Sequence, residues 1–268
     1  YTGRNTMGLP RLTIQQFRDY ALQVKGLLSG EDVLFKEDKK ERWIRLIHTK
    51  ENSGRNEFFN IEDPIPIMLA ADGPRGQKVV GDISNGWILS GGGANVGKGL
   101  PRVMKSAEAS GNTFDLYGGA GHKPYVTALT SCCVLRPGET IESERVMRNI
   151  GPTLTSAVHG MWEHHYGPGA SRGDSNPDIA KAYDEYIKSY ATNKGRHQTD
   201  RLYLDVHEGH YTYLKDGEDQ FVPGEIISKT LTGTGDQINE RIDMLEDAGI
   251  NNLALSSVDK RSALELIT

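Results

Sequence analysis

The sequence predicts an α/β fold built on a parallel sheet. Three observations carry that expectation. The runs Ile65 to Ala71 and Trp87 to Leu89 are nearly continuous in apolar residues, the pattern of strands buried on both faces. Each empties into a tight turn, Asp72-Gly73-Pro74 after the first and Ser90 to Gly93 after the second. Segments of helical period alternate with such runs to the end of the chain.

The elements follow in order. YTGRNTMGLP opens the chain as a glycine-containing turn, the way the middle of a domain begins. TIQQFRDYALQVKGLLSG places Ile14, Phe17, Ala21, Val24 and Leu28 on one helical face, and Thr13 and Gln16 have capping-box spacing. Residues 31 to 60 are charged, lack a clear period, and suit a hairpin or a long loop. After the Ile65 strand, Pro74 suits the first turn of a helix over RGQKVVGDIS, which Asn85-Gly86 ends. Strand, helix and strand then occupy about 25 residues, near the minimum for a crossover unit. Tyr125 to Leu135 reads as a strand, Glu142 to Tyr166 as a long helix kinked at Gly151-Pro152, and Ile179 to Tyr190 as a helix. RLYLDV is strand-like. Near the end, Thr234 and Gln237 repeat the box spacing, Ile238, Ile242 and Leu245 share a face, Gly249 stops the helix, and Leu253 to Leu255 is a strand.

The 268 residues allow one large domain or two small ones, and 37% hydrophobic with 25% charged residues is ordinary for a globular protein. A net charge of -5, without a basic run, argues against a nucleic-acid partner. No apolar stretch approaches the ~18 residues of a membrane span and no signal peptide opens the chain, so a cytoplasmic location is expected. The only two cysteines, Cys132 and Cys133, are adjacent in an apolar run and read as reduced core residues.

The glycine run is the first candidate site. Gly92 and Gly97-Lys98 have the spacing of a P-loop, but position 99 is Gly where that loop needs a magnesium-binding hydroxyl. The turns AADGP and LSGGG end consecutive parallel strands, so backbone N–H groups at Asp72, Gly73, Gly91 and Gly92 can converge on a phosphate at the carboxyl edge of the sheet. They can equally be two tight turns needing positive φ. Histidines gather in VHGMWEHHYG and DVHEGHYTY. His207-Glu208 and His210 fall one residue short of H-E-x-x-H, which breaks the helical face a zinc site requires, and no metal is expected. On a strand these two histidines would point to opposite faces. His159, Glu163 and Tyr166 share a helix face that lines a cleft or is merely solvated.

Taken together, AADGPRGQKVVGDISNGWILSGG resembles the flavin-binding core of the luciferase-like monooxygenase family. YTGRNTMGLP with the helix ending LLSGE is similar to the family's fourth strand-to-helix connection, and GTGDQINERIDMLEDAGINNLAL to its last helix and strand. The likeness covers most of the chain in order and is loosest over residues 31 to 60 and 167 to 225. It implies a (β/α)8 TIM barrel of which residues 1–268 form a single domain holding strands five to eight: Ile65 to Ala71, Trp87 to Leu89, Tyr125 to Leu135 and Asn252 to Ser256. The N-terminal strands would come from an upstream segment or a partner chain, and 167–230 would be an insertion near the active-site mouth.

The resemblance also implies an enzyme: a flavin-dependent oxidoreductase, foremost a monooxygenase using reduced FMN and oxygen on a small organic substrate. A reductase would supply the flavin. The alternative within the fold is hydride transfer with the deazaflavin coenzyme F420. Rival readings are a P-loop-like nucleotide hydrolase and a non-catalytic barrel relative. By the same match, Tyr1, Arg4, Ala71, Asp72, Gly73, Ser90, Gly91 and Gly92 would bind the cofactor, catalytic residues stay unassigned, and a homodimer is expected. Asp72 departs from the small or neutral residue commoner in the family. Its carboxylate would repel a phosphate, so it is expected to cap the following helix with its side chain turned away. Asn85 stands where Asp is usual.

Overall fold

The fold is taken from a computed structural model that describes residues 2–37, 40–50, 59–116, 123–165, 167, 177–186, 201–222, 224–227, 230–256, 261 and 264–265. A short helix α1 (Thr2–Asn5) leads to α2 (Ile14–Leu28), whose start is the expected capping box: Thr13 Oγ1 accepts from Gln16 N at 3.1 Å and Gln16 Oε1 accepts from Thr13 N at 2.9 Å. Of the predicted apolar face only Ala21 is buried, with Phe17 packed against the core and Ile14 exposed. Strands β1 (Val33–Glu37) and β2 (Lys40–Ile44) then pair antiparallel, so the charged segment does contain a hairpin.

Strand β3 (Met68–Ala70) is shorter than the predicted Ile65 to Ala71. Pro64 and Pro66 bring no N–H to a ladder, and the Ile67 N–H donates to the side chain of Asn85 instead, at 2.9 Å. Helix α3 (Pro74–Ile83) begins with Pro74 at its first position, as expected. Ser84 caps it, its N–H donating to the Val80 carbonyl at 3.1 Å, and Asn85 brackets the next strand: its N–H donates to the Ile67 carbonyl at 2.9 Å while its Oδ1 receives the Ile67 N–H. Strand β4 (Gly86–Leu89) pairs parallel with β3. The 3-10 turn Gly91–Gly93 leads into α4 (Val96–Ser110), a helix that the glycines and Pro101 mask in the sequence.

Strand β5 (Tyr125–Val134) is ten residues long and lies in the middle of the sheet. Helix α5 (Glu144–His165) runs through Gly151-Pro152 as one element. A Cβ at Gly151 would lie 2.4 Å from Leu214 Cδ1, so that side chain would have to move to admit it. Helix α6 (Pro177–Tyr186) follows, then α7 (Leu202–His207). The latter corrects the strand expected over RLYLDV: Val206 is buried while Leu204 is exposed, a helical rather than alternating placement, and Lys215 Nζ donates to the Asp205 carbonyl at 2.9 Å. A short α8 (Gly224–Ile227) precedes β6 (Leu231–Gly233), α9 (Gly235–Asp247) with its capping box of Thr234 and Gln237, and β7 (Asn252–Ser256). Gly249 takes φ +98° at the turn between them. Asn251 repeats the device of Asn85, its Oδ1 receiving Val126 N–H at 2.8 Å and its own N–H donating to the Val126 carbonyl at 3.1 Å.

All the pairings within this sheet are parallel. The four strands expected as five to eight of a barrel, β3, β4, β5 and β7, neighbour one another in that order, and β6 joins the end of β5. Among the described residues no further strand closes them, so the expected barrel is represented by an open sheet. One face packs against α2, α3, α4 and α9 around Trp87, Val80, Val103 and Ile238. Helix α5 covers β5 from the other side, with Cys133, Val146, Ile150 and Leu154 in the seam. Cys132 and Cys133 are free thiols, both fully buried, in the first and second of these cores respectively. Burial pushes the Cys132 thiol up to about 11. Among the described residues no helix is long and apolar enough to cross a membrane.

Helices α3 and α4 touch through Gly81, where a Cβ would lie 2.3 Å from the Val103 carbonyl oxygen and 2.7 Å from Ser106 Cβ. Gly81→Ala is expected to lose about 1–3 kcal/mol of unfolding free energy in urea, the scale of overpacking. Gly97→Ala, with nothing within 4 Å of the new Cβ, is expected to lose none.

Candidate functional site

The carboxyl ends of β3 and β4 are tied together by two side chains. Trp87 Nε1 donates to the Ala71 carbonyl at 2.7 Å, and the Asp72 carboxylate accepts from Ser90 N at 3.2 Å and Ser90 Oγ at 2.9 Å. This corrects the expectation that Asp72 caps α3: Gly73 is the N-cap residue, without a side-chain bond, and Asp72 reaches across to the neighbouring turn. Its own carbonyl is held by Gln77 Nε2 at 2.9 Å. The departure from a P-loop at position 99 has a packing cause, since a Cβ there would lie 2.3 Å from the Trp87 ring. The glycines at 92 and 93 take φ +62° and +79° in the turn.

A cavity of about 240 Å3 opens beside these turns. Asp72, Ser90 and Gly92 line it from the turns, Thr130 from β5, Ser156 and Glu163 from α5, and His210 from the turn after α7. Of the other predicted cofactor residues, Ala71 and Gly73 belong to the same turn without lining the cavity, and Gly91 opens the 3-10 turn. Arg4 is not brought to the site, because its Nε donates to the Pro10 carbonyl of its own loop at 2.7 Å. Thr2 lines the cavity in its place, and Tyr1 lies outside the described residues.

Behind the cavity lies a buried polar network of which the sequence marks only the histidines and Glu163. His159 and Glu163, one turn apart on α5, are both 1% exposed. Glu163 accepts from Thr2 Oγ1 at 3.0 Å through one oxygen and lies 2.9 Å from His207 Nε2 through the other. His207 Nδ1 donates to the Tyr203 carbonyl at 2.7 Å, which leaves its Nε2 facing the Glu163 carboxylate. His159 Nε2 lies 3.1 Å from Glu218 Oε1, and its Nδ1 lies 2.9 Å from His210 Nδ1. Glu218 also accepts from Lys215 N at 3.0 Å and pairs with Lys215 Nζ at 3.2 Å, which in turn reaches Tyr186 OH at 2.9 Å. His207 and His210, expected on opposite faces of a strand, have ring centroids 5.5 Å apart because they sit on a helix end and its turn. Glu218 and Lys215 carried no motif, and Tyr166 lies outside the described residues.

Burial drives the ionisation of the network. It lowers His159, outweighing the hydrogen bond to Glu218, and pushes His210 down to about 4, helped by the neighbouring His159 and His207. Lys215 is lowered by burial although Glu218 opposes the shift. Burial would raise both carboxyls, yet hydrogen bonds from His207 and Thr2 hold Glu163 below its usual range, and His159 with the Lys215 charge does the same for Glu218. A neutral His159 facing a carboxylate donates through Nε2, so its Nδ1 is an acceptor and His210 Nδ1 carries the proton between the rings. His210 Nε2 is then a bare lone pair.

The profile of the luciferase-like monooxygenase family matches residues 10–252. No curated protein matches the chain. Among solved structures, the coenzyme F420-dependent tetrahydromethanopterin reductase from Methanopyrus kandleri superimposes with a TM-score of 0.53 at 16% identity, over 95% of this chain and 61% of its own. An F420-dependent secondary alcohol dehydrogenase, in complex with an F420-acetone adduct, gives 0.51 at 13% identity, over 94% of this chain and 58% of its own. The oxygenating constituent of 3,6-diketocamphane monooxygenase from Pseudomonas putida, in complex with FMN, gives 0.50 at 10%, over 97% and 62%. At such identities the likeness is one of fold, and this chain spans about three fifths of the length of each.

The histidines make stability fall with acid. An unfolded chain protonates its histidines near pH ~6.5, whereas folded His210 resists until about 4. The unfolded state therefore binds more protons in that window, and unfolding free energy rises with pH across it. The lowered carboxyls of Glu163 and Glu218 extend the loss further into acid. Urea unfolding at a series of pH values is expected to show this slope between pH 4 and 6.5, and His210→Gln to make it shallower.

Proposed function

This chain belongs to the luciferase-like monooxygenase family, and we propose that it is an oxidoreductase working with FMN or coenzyme F420 at the cavity beside the β3 and β4 turns. The observation that supports the reading is the convergence of the two predicted turns: Trp87 and Asp72 lock them side by side at the carboxyl edge of a parallel sheet, where α/β folds place their ligands. When bound, such a cofactor supplies hydride transfer or, as reduced FMN, oxygen activation.

The residues fit the two ends of the cofactor differently. At about 240 Å3 the cavity is smaller than the ~300–1,000 Å3 of pockets that enclose a whole ligand, so it takes the reacting end of a ring and a small substrate. Hydroxyls of Thr130, Thr153 and Ser156 orient what binds there, while Leu129, Leu154 and Ile226 exclude water. The phosphate end meets the exposed turns, with the N-terminus of α3 beside Gly73 and the positive-φ glycines at 92 and 93. Asp72 opposes it there, since its carboxylate already takes both Ser90 donors. A neutral imidazole at the cavity wall favours hydride transfer as the second, finer reading, because that chemistry needs a proton partner for the substrate. Under the FMN reading a reductase is the partner.

Fluorescence titration of the purified chain with FMN and coenzyme F420 side by side tests this. Saturable binding of one is expected, with Asp72→Asn tightening it several-fold. Binding of neither by the folded chain would overturn the reading, and an unchanged or weaker affinity in the variant would remove the phosphate from that turn.

A further inference from the structure

Resting on the cavity as the reaction site, we propose that His210 is the hydrogen-bond acceptor for a small neutral hydroxyl compound bound there, with His159 and Glu218 as positioning residues that keep its Nε2 lone pair available to that compound. The chain of partners is continuous: Glu218 Oε1, 3.1 Å to His159 Nε2, then His159 Nδ1, 2.9 Å to His210 Nδ1. That ring lines the cavity, and among the described residues its Nε2 has no hydrogen-bond partner. The carboxylate end sets the tautomer of both rings, which is how an outer carboxylate orients a reacting imidazole elsewhere.

The backbone holds His210 with conformations few residues adopt. Gly209 takes φ +78° and Tyr211 takes φ +59°, on either side of the histidine. His210 N donates to the His207 carbonyl at 3.0 Å, and Thr212 N donates to Gly209 O at 2.8 Å. A non-glycine residue at positive φ persists where its surroundings over-determine it, and such positions gather at working sites. The groups facing the ring from neighbouring elements are His159 and Glu163 on α5, His207 on α7, Lys215 beyond them, and Tyr211 with its ring centroid 4.7 Å away. Their balance leaves the imidazole neutral at physiological pH.

The cavity wall selects the ligand. Its carboxylates are engaged, Asp72 by Ser90 and Glu163 by Thr2 and His207, and among the described residues no lysine or arginine lines it. Anions are repelled, and hydroxyls and apolar groups suit a neutral molecule. The ligand's O–H donates to His210 Nε2 and no covalent bond changes: the Nδ1 proton stays on His210 between the two rings, and the Nε2 proton of His159 stays toward Glu218.

Long-range 1H–15N correlation spectra of the 15N-labelled chain read these tautomers directly, with millimolar 2,2,2-trifluoroethanol as the hydroxyl probe. At pH 7 the expected result is His210 with Nδ1–H and a bare Nε2, whose 15N resonance shifts saturably as the probe is added. In Glu218→Gln the carboxamide can donate to His159 Nε2, so the tautomers reverse, and probe binding weakens by about 10-fold or more. A protonated Nε2 in the unaltered chain, or an equal response to the probe in both proteins, would overturn the proposal. FMN and coenzyme F420 titrations of the same two samples separate the readings: failure of cofactor binding with the tautomers as expected sinks the proposed function alone.

Discussion

Strand β5 is the constraint to which the other parts conform. It pairs with β4 along its first residues, with β7 through its middle and with β6 at its end, so its backbone meets protein along both edges. Helices lie against it on one face and α5 on the other. A strand enclosed in that way cannot carry large side chains everywhere, and the adjacent small residues Cys132 and Cys133, each without exposed surface, serve two different cores at one level. Moving β5 by one residue would exchange those cores and detach three strands together.

Laying α5 over the sheet forces polar chemistry into the interior. Glu163, Glu218, Lys215 and His159 would each be expensive to bury alone. They are tolerable because each carboxylate meets a basic group and a further donor: Glu163 has His207 and Thr2, Glu218 has His159, Lys215 and a backbone N–H. Removing one member of such a set typically loses about 3–5 kcal/mol, because it strands a charge. The same pairing gives His210 its character, since a ring held by another ring and surrounded by buried charge has one nitrogen left for chemistry.

Local rules were the legible part of the chain. Thr13 with Gln16 and Thr234 with Gln237 announce two helix starts, Pro74 a third, and the apolar runs at Met68 and Trp87 two parallel strands with their turns. These signals act over three or four residues and survive any tertiary setting. The failures are long-range. His159 meets Glu218 and His210 across 59 and 51 positions, and periodicity records which residues share a face but not what stands opposite. RLYLDV reads as a strand because Leu, Tyr and Val suit one, and only burial of Val206 under its neighbours makes it α7. Asp72 departs from the capping rule for a related reason: the rule considers its own helix, and its better partners, the N–H and hydroxyl of Ser90, lie on the next turn.

The bracket at Asn85 has a consequence for how the chain ages. Asn-Gly is the dipeptide in which a free backbone most readily cyclises, the glycine nitrogen attacking the side-chain amide to release ammonia. Here the amide oxygen holds the Ile67 N–H, and Gly86 is fixed in register between Met68 and Tyr125, so the attacking geometry is withheld. Folding thus protects a bond that unfolding exposes. Each excursion to the open state risks an aspartate or an isomerised backbone at the entrance to β4, where a carboxylate cannot donate to the Phe114 carbonyl as Asn85 Nδ2 does at 3.4 Å, and an extra methylene destroys the register. Because cyclisation is far slower than reclosing, the durability of this protein is set by the fraction of time β4 spends out of the sheet, the equilibrium population of that open state.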